Sequence, residues 1–180
     1  EITLNLEDKR LQVKAGKSRF NLQTLPAEDF PRMAISETEP RKIEVTQKQF
    51  RHLLGQTQFA MAAQDVRYYL NGLLLLVDGS ELRAVATDGH RLAYASMALG
   101  EGVVLPRQEL ILPRKTVLEL NRLLADSEDP VHIEMMSNQI RFQFGNITLV
   151  SKLIDGKIPD YERVIPASSK NLVTLNRTAL

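Results

Sequence analysis

Residues 83–96, RAVATDGHRLAYAS, place Thr87, Asp88, His90 and Arg91 within five positions. Such a cluster suits either a catalytic corner or the tip of a β-hairpin. Leu82, Ala84 and Ala86 alternate with Arg83, Val85 and Thr87, and Leu92 to Met97 read as a returning strand. Asp-Gly between two strands is a strong hairpin signal, of the type I′ turn with positive φ at both central residues. Backbone geometry therefore accounts for Asp88 and Gly89 without chemistry. The three histidines, His52, His90 and His132, have no metal-ligand spacing. No Gly-x-Ser-x-Gly elbow or phosphate-cradling glycine loop is present. The expectation is a hairpin in a non-enzyme, with neither metal nor cofactor.

The wider sequence narrows the class. With no cysteine, disulfide and thiolate chemistry are excluded, and a cytoplasmic setting is expected. No apolar run has the length of a membrane span, and no targeting segment opens the chain. Lys plus Arg is 23 and Asp plus Glu is 22, so any attraction to nucleic acid must come from local charge. Both ends read as cut. EITLNLEDKRLQVKAG alternates like a strand already under way, and LVTLNRTAL reads as a strand entering a helix. A segment of a longer chain is expected.

Self-similarity organises the rest. At a shift of 129, Ile2 falls on Val131, Leu4 on Ile133, Leu11 on Ile140, Val13 on Phe142 and Gly16 on Gly145. With one residue deleted, Leu22 falls on Val150, Leu25 on Leu153 and Pro31 on Pro159. At 130, Ile43 falls on Val173, Val45 on Leu175 and Phe50 on Leu180. The chain thus holds the end of one copy (1–41), a complete second copy (42–167) and the start of a third (168–180). The middle copy is itself halved: at a shift of 67, Ile43, Val45, Phe50 and Leu53 fall on Leu110, Leu112, Val117 and Leu120. Each half reads as a strand, a helix and three strands. The strands are expected at 72–77, 82–87, 90–97 and at 131–136, 139–144, 147–153. Thr46 suits an N-cap and Pro113 a first helical turn.

The first helix, expected over about 46–61, carries Lys48, Arg51 and His52 and no acid. The second, PRKTVLELNRLLAD, carries Arg114, Lys115 and Arg122 against Glu119 and Asp126, while acids gather in 28–44 and 126–134. Two such helices facing one way would form a basic wall that binds phosphates without reading sequence. Lys48 and Arg51 are DNA-contact candidates on charge and helix position alone. Just past the hairpin tip, Arg91 and Leu92 are a long cation and an apolar group, and VRYYLNG (66–72) offers two tyrosines and Leu70. Leu70 and Leu92 suit core packing or a binding surface equally well. Adjacent tyrosines in an extended segment point opposite ways.

QDVRYYLNGLL, VATDGHRLA, LPRKTVLEL and SKLIDGKIPDY, in that order, resemble the bacterial DNA polymerase III beta subunit family, the sliding clamps. The resemblance runs along essentially the whole chain. It implies an α+β clamp fold: repeated β-α-β-β-β units with helices on one face of curved antiparallel sheets. It implies a head-to-tail ring of two subunits, with three similar domains each, around duplex DNA. Such a ring tethers polymerases without doing chemistry on DNA, and the complete protein rather than this stretch would close it and capture peptides at full affinity. By match to the family, the DNA-facing positions are Gln64, Tyr68, Tyr69, Arg114, Lys115 and Arg122. The family's peptide-binding cleft matches Leu70, Thr87, Gly89, His90, Arg91, Leu92, Pro159, Arg163 and Val164. Through it would dock the replicative polymerase, the clamp loader, translesion polymerases and mismatch repair factors. The subunit-contact edge matches Phe20 and Leu22, with Lys17 and Arg19 beside them. Two rival readings are a clamp-fold peptide-binding scaffold that does not encircle DNA, and a hydrolase built on Asp88 and His90.

Overall fold

A computed structural model describes residues 1–31, 33, 39–166, 168, 170–176, 178 and 179. The chain divides into two compact units, Glu1–Ile35 and Ser36–Leu180.

The first unit is an antiparallel meander of β1 (Ile2–Glu7), β2 (Arg10–Ala15) and β3 (Ser18–Gln23). Leu4 pairs with Val13 and Val13 with Phe20, so these side chains share one face. On that face Leu4 and Phe20 are exposed and Val13 is half-buried. The turn at Gly16 pairs Ala15 with Ser18, and in the second unit Phe144 pairs with Ile147 in the same way. The shift of 129 therefore continues through β3, setting Leu22 on Ser151. The one-residue deletion expected before Leu22 is not there, because the two hairpin loops have equal length.

The second unit contains β4 (Arg41–Thr46), α1 (Gln47–Gly55), β5 (Gly72–Gly79), β6 (Glu81–Thr87), β7 (Leu92–Ala98), β8 (Leu105–Pro113), α2 (Arg114–Leu123), β9 (Pro130–Met135), β10 (Gln139–Phe144) and β11 (Ile147–Lys152). This is the expected β-α-β-β-β pattern twice over. The halves are not separate, however. The first strand of each half joins the sheet of the other, giving the orders β11-β10-β9-β4 and β7-β6-β5-β8. The exchange welds the two halves into one core. Phe50, Leu53 and Leu54 of α1 and Val117 and Leu120 of α2 pack there against Leu75, Ile133 and Phe142 of the sheets.

Local chemistry sets the helix ends. Thr46 and Gln49 form a reciprocal capping box, with both hydrogen bonds at 3.2 Å. Pro113 is the residue before α2 rather than in its first turn. The helix expected to reach residue 61 stops at Gly55. There the Thr57 hydroxyl bonds the carbonyls of Leu53 and Leu54, and a 3₁₀ turn, Gln58–Ala60, follows. Met61 is buried as its apolar character suggests, but from this turn. Residues 172–176 form no strand, contrary to expectation: a strand needs a partner, and no described residue pairs with them. The expected alignment with Leu180 lies outside the described residues. Among the described residues, no helix is long and apolar enough to cross a membrane.

Strand β5 is buried on both faces. Leu73, Leu75 and Val77 enter the main core, while Leu74 and Leu76 join a second cluster with Val85, Ile111, Ile158 and Tyr161. The segment after β11 crosses this outer face, anchored where Ile154 bridges to Ile111.

Candidate functional site

The hairpin tip is built from short polar bonds. Thr87 pairs with Leu92, so the loop has four residues, Asp88 to Arg91, and only Gly89 has positive φ, at 88°. The expected two-residue type I′ turn is absent because the Asp88 side chain substitutes for it. Its Oδ1 accepts the amides of His90 and Arg91, both at 3.0 Å. The Thr87 hydroxyl donates to the Arg91 carbonyl at 2.7 Å and accepts the Gly89 amide. These amide bonds, His90 first, hold the Asp88 carboxyl below its ordinary pKa. With its carboxylate engaged by main chain, Asp88 is a turn residue and not the orienter of a His90 base. Arg91 reaches across to the Phe59 carbonyl at 2.7 Å and lies over the Phe59 ring.

A second loop braces the first. Arg67 grips Asp65 at 2.7 and 2.9 Å and donates to the Asp88 carbonyl at 3.5 Å. A Cβ on Gly89 would come within 2.9 Å of the Arg67 guanidinium, so glycine allows this approach. The Arg67 side chain is the main cause that pulls the Asp65 pKa from 3.8 to about 2. Because the folded-state pKa is depressed, this bracing is present in full above pH 3.8 and is lost as pH falls through about 2. An NMR titration of the Asp65 carboxyl is expected to show that low midpoint, and Arg67→Gln to return it towards 3.8.

Tyr68, Tyr69 and Leu70 form a 3₁₀ turn rather than an extended segment. The tyrosine rings do not diverge as expected; they meet edge to face with centroids 5.9 Å apart. Leu70 is buried and Gln64 is exposed. Tyr68 is 59% exposed. The Tyr68 ring and the Tyr69 Cβ lie against Gly156, whose φ of 145° is strained for any side chain and where a Cβ would come within 3.2 Å of the Tyr69 Cβ.

Tyr69 and Leu92 pack on the outer cluster of Ile158 and Tyr161. That cluster brings the hairpin beside the segment bearing Pro159, Arg163 and Val164, all three exposed. One face thus gathers an apolar floor, the Thr87–Arg91 loop and a short wall. Sequence reading missed Asp65, Arg67 and Phe59, which brace the loops, and Arg83, Tyr94 and Tyr161 behind the wall.

The helices lie side by side, with Gly55 facing Asn121, and line a groove of about 760 Å³ with Lys48, Arg51 and His52. Their charge is partly compensated. Lys48 pairs with Glu128 at 3.4 Å and Arg122 with Glu119, and Arg114 donates to the Met61 carbonyl at 3.2 Å. Arg51 and Lys115 stand exposed.

This arrangement has counterparts. Residues 44–160 match the family model for the central domain of the DNA polymerase III beta subunit, and residues 1–34 match its N-terminal domain. The chain belongs to the DNA polymerase III beta subunit family. It is 48% identical to the beta sliding clamp of Escherichia coli K12 over 92% of this chain and 44% of that protein. It is equally identical to the Pseudomonas aeruginosa beta sliding clamp, over 99% of this chain and 48% of that one. The crystal structure of the Pseudomonas aeruginosa subunit superposes with a TM-score of 0.86 over 94% of this chain and 46% of that one. A Caulobacter crescentus clamp, 45% identical, gives 0.81, over 93% and 45%. The chain therefore spans just under half the length of its clamp relatives. In this beta subunit chain, Phe20, Leu22 and Arg19 lie on β3, an outer strand of the first unit, with Lys17 in the turn before it. All four are exposed.

Proposed function

We propose that this chain is the middle portion of a sliding clamp that encircles duplex DNA and tethers the replicative polymerase. In this reading, residues 1–41 close the first clamp domain, 42–167 form the second and 168–180 open the third. The whole protein forms a head-to-tail dimeric ring in the cytoplasm. Strand β3, with Phe20 and Leu22, offers unpaired backbone and apolar side chains to the next subunit. Arg51, Lys115 and the other helix cations attract phosphates without reading bases, and the pairing of Lys48 and Arg122 with acids keeps that attraction weak enough for sliding. Gln64, Tyr68 and Tyr69 touch DNA at the rim.

The observation that carries the reading is the outer apolar cluster of Leu92, Ile158 and Tyr161, flanked by a braced hairpin and an exposed wall. An apolar floor with a few fixed polar groups is what capture of a short peptide needs. The polymerase, the clamp loader, translesion polymerases and mismatch repair factors would share it. The test is fluorescence anisotropy of a labelled clamp-binding peptide on the full-length subunit. Leu92→Ala is expected to weaken capture by about tenfold, or ~1.4 kcal/mol. Unchanged affinity would remove Leu92 and its cluster from the site.

A further inference from the structure

Behind the groove wall lies a polar lock. On the outer face of the β7-β6-β5-β8 sheet, Leu76, Arg83 and Ser96 stand in line, as do Leu74, Val85 and Tyr94. Arg83 is the only basic side chain among these six, and only 22% exposed. Its guanidinium grips Glu81 at 2.8 Å and reaches Glu162 at 3.7 Å, and the Tyr161 hydroxyl donates to the same Glu162 carboxylate at 3.4 Å. Tyr161 is buried and packs against Tyr94, with ring centroids 6.0 Å apart.

The wall needs such a lock. Tyr161–Arg163 is a single 3₁₀ turn, too short to hold its own position. Pro159, Arg163 and Val164 around it are exposed, so Ile158 and Tyr161 are the side chains that root it in the sheet. Arg163 adds a local pair with Asp160 at 2.9 Å. A planar guanidinium gripping a β6 carboxylate on one side and the turn on the other fixes the wall's height above Leu92.

We infer that Arg83 and Tyr161 are positioning residues for peptide capture: they touch no peptide themselves, and they set where Val164 and Pro159 stand. The inference rests on the groove reading above. Breaking the lock leaves the hairpin intact and lets the wall drift, so affinity falls only through contacts the wall makes.

The experiment is anisotropy of the labelled clamp-binding peptide on full-length subunits carrying Arg83→Met, Arg83→Lys or Tyr161→Phe, each alone and combined with Val164→Ala. Arg83→Met is expected to weaken capture roughly fivefold, Arg83→Lys less, and Tyr161→Phe by a similar factor with the ring kept. In the Val164→Ala background the further loss is expected to vanish, because the wall contact is already gone. Undiminished affinity in Arg83→Met and Tyr161→Phe would overturn the inference. So would an equal loss with and without Val164→Ala, which marks general destabilisation. If Arg83→Met does not fold, Tyr161→Phe carries the same cycle. Failure of the unsubstituted subunit to bind would instead refute the groove, and the inference with it.

Discussion

Phe50→Ala is expected to cost about 4 kcal/mol in the second unit, because it removes a fully buried ring from the point where both halves meet. Phe50 stacks on Phe142 with centroids 5.7 Å apart, joining α1 of the first half to β10 of the second. The surrounding side chains come from two sheets and two helices, so the void cannot close by moving one element. Such rigidity keeps the cavity penalty near the upper part of its range. Native-state hydrogen exchange reads this unit separately from the rest of the subunit. The slowest amides of α1 and β10 should lose protection together. Loss confined to α1 would mean that the halves are not welded through this contact.

Gly72→Ala is expected to cost about 3 kcal/mol, by overpacking rather than by a void. A Cβ at Gly72 would lie 2.4 Å from the Leu112 carbonyl oxygen and 2.9 Å from the Ile111 side chain. Neither neighbour can retreat freely. Gly72 pairs with Pro113 in the ladder, and the Ile111 carbonyl accepts the Ile154 amide at 2.9 Å. To admit a methyl group, β5 and β8 must part at their start, which also pulls on the segment leading to Pro159. Calorimetry of the full-length subunit should show the transition of this unit lowered by roughly 6–12 °C. Peptide capture should weaken in the same variant. An unshifted transition would show that the strands are looser here than the contacts imply.

Much of the fold was legible because its punctuation is local. Asp78-Gly79, Asp88-Gly89 and Gly145-Asn146 mark turns wherever they sit, and alternation between them sets strand positions closely. The exchange of β4 and β8 between sheets was not legible. Ile43 and Leu110 alternate equally well beside either meander, and pairing depends on which sheet the chain crosses to. The overextended first helix has a similar origin: Phe50, Leu54 and Met61 suit helical spacing, while the stop comes from a Thr57 hydroxyl bond seen only in three dimensions.

The site was legible in its motifs and not in its supports. Thr87 to Leu92 drew attention by composition, and the structure packs Leu92 on the outer cluster, as core packing requires. Leu92 remains half-buried there. Arg83 and Tyr161 are 78 positions apart in sequence, and nothing in either's neighbours announces that both reach the Glu162 carboxylate. Likewise Gly156 looks like an ordinary turn glycine until the Tyr68 ring and the Tyr69 Cβ are seen against it.

The central claim is topological, and retention on DNA tests it most directly. The full-length subunit, assembled by a clamp loader onto nicked circular plasmid, would be moved to high salt and the plasmid then cut once. A ring that encircles the duplex stays on the circle when salt has screened its phosphate contacts, and runs off when ends appear. The account predicts retention before the cut and release after it. Loss from the intact circle at high salt, or equal retention on linear DNA, would contradict it and leave a peptide-binding scaffold that does not encircle DNA.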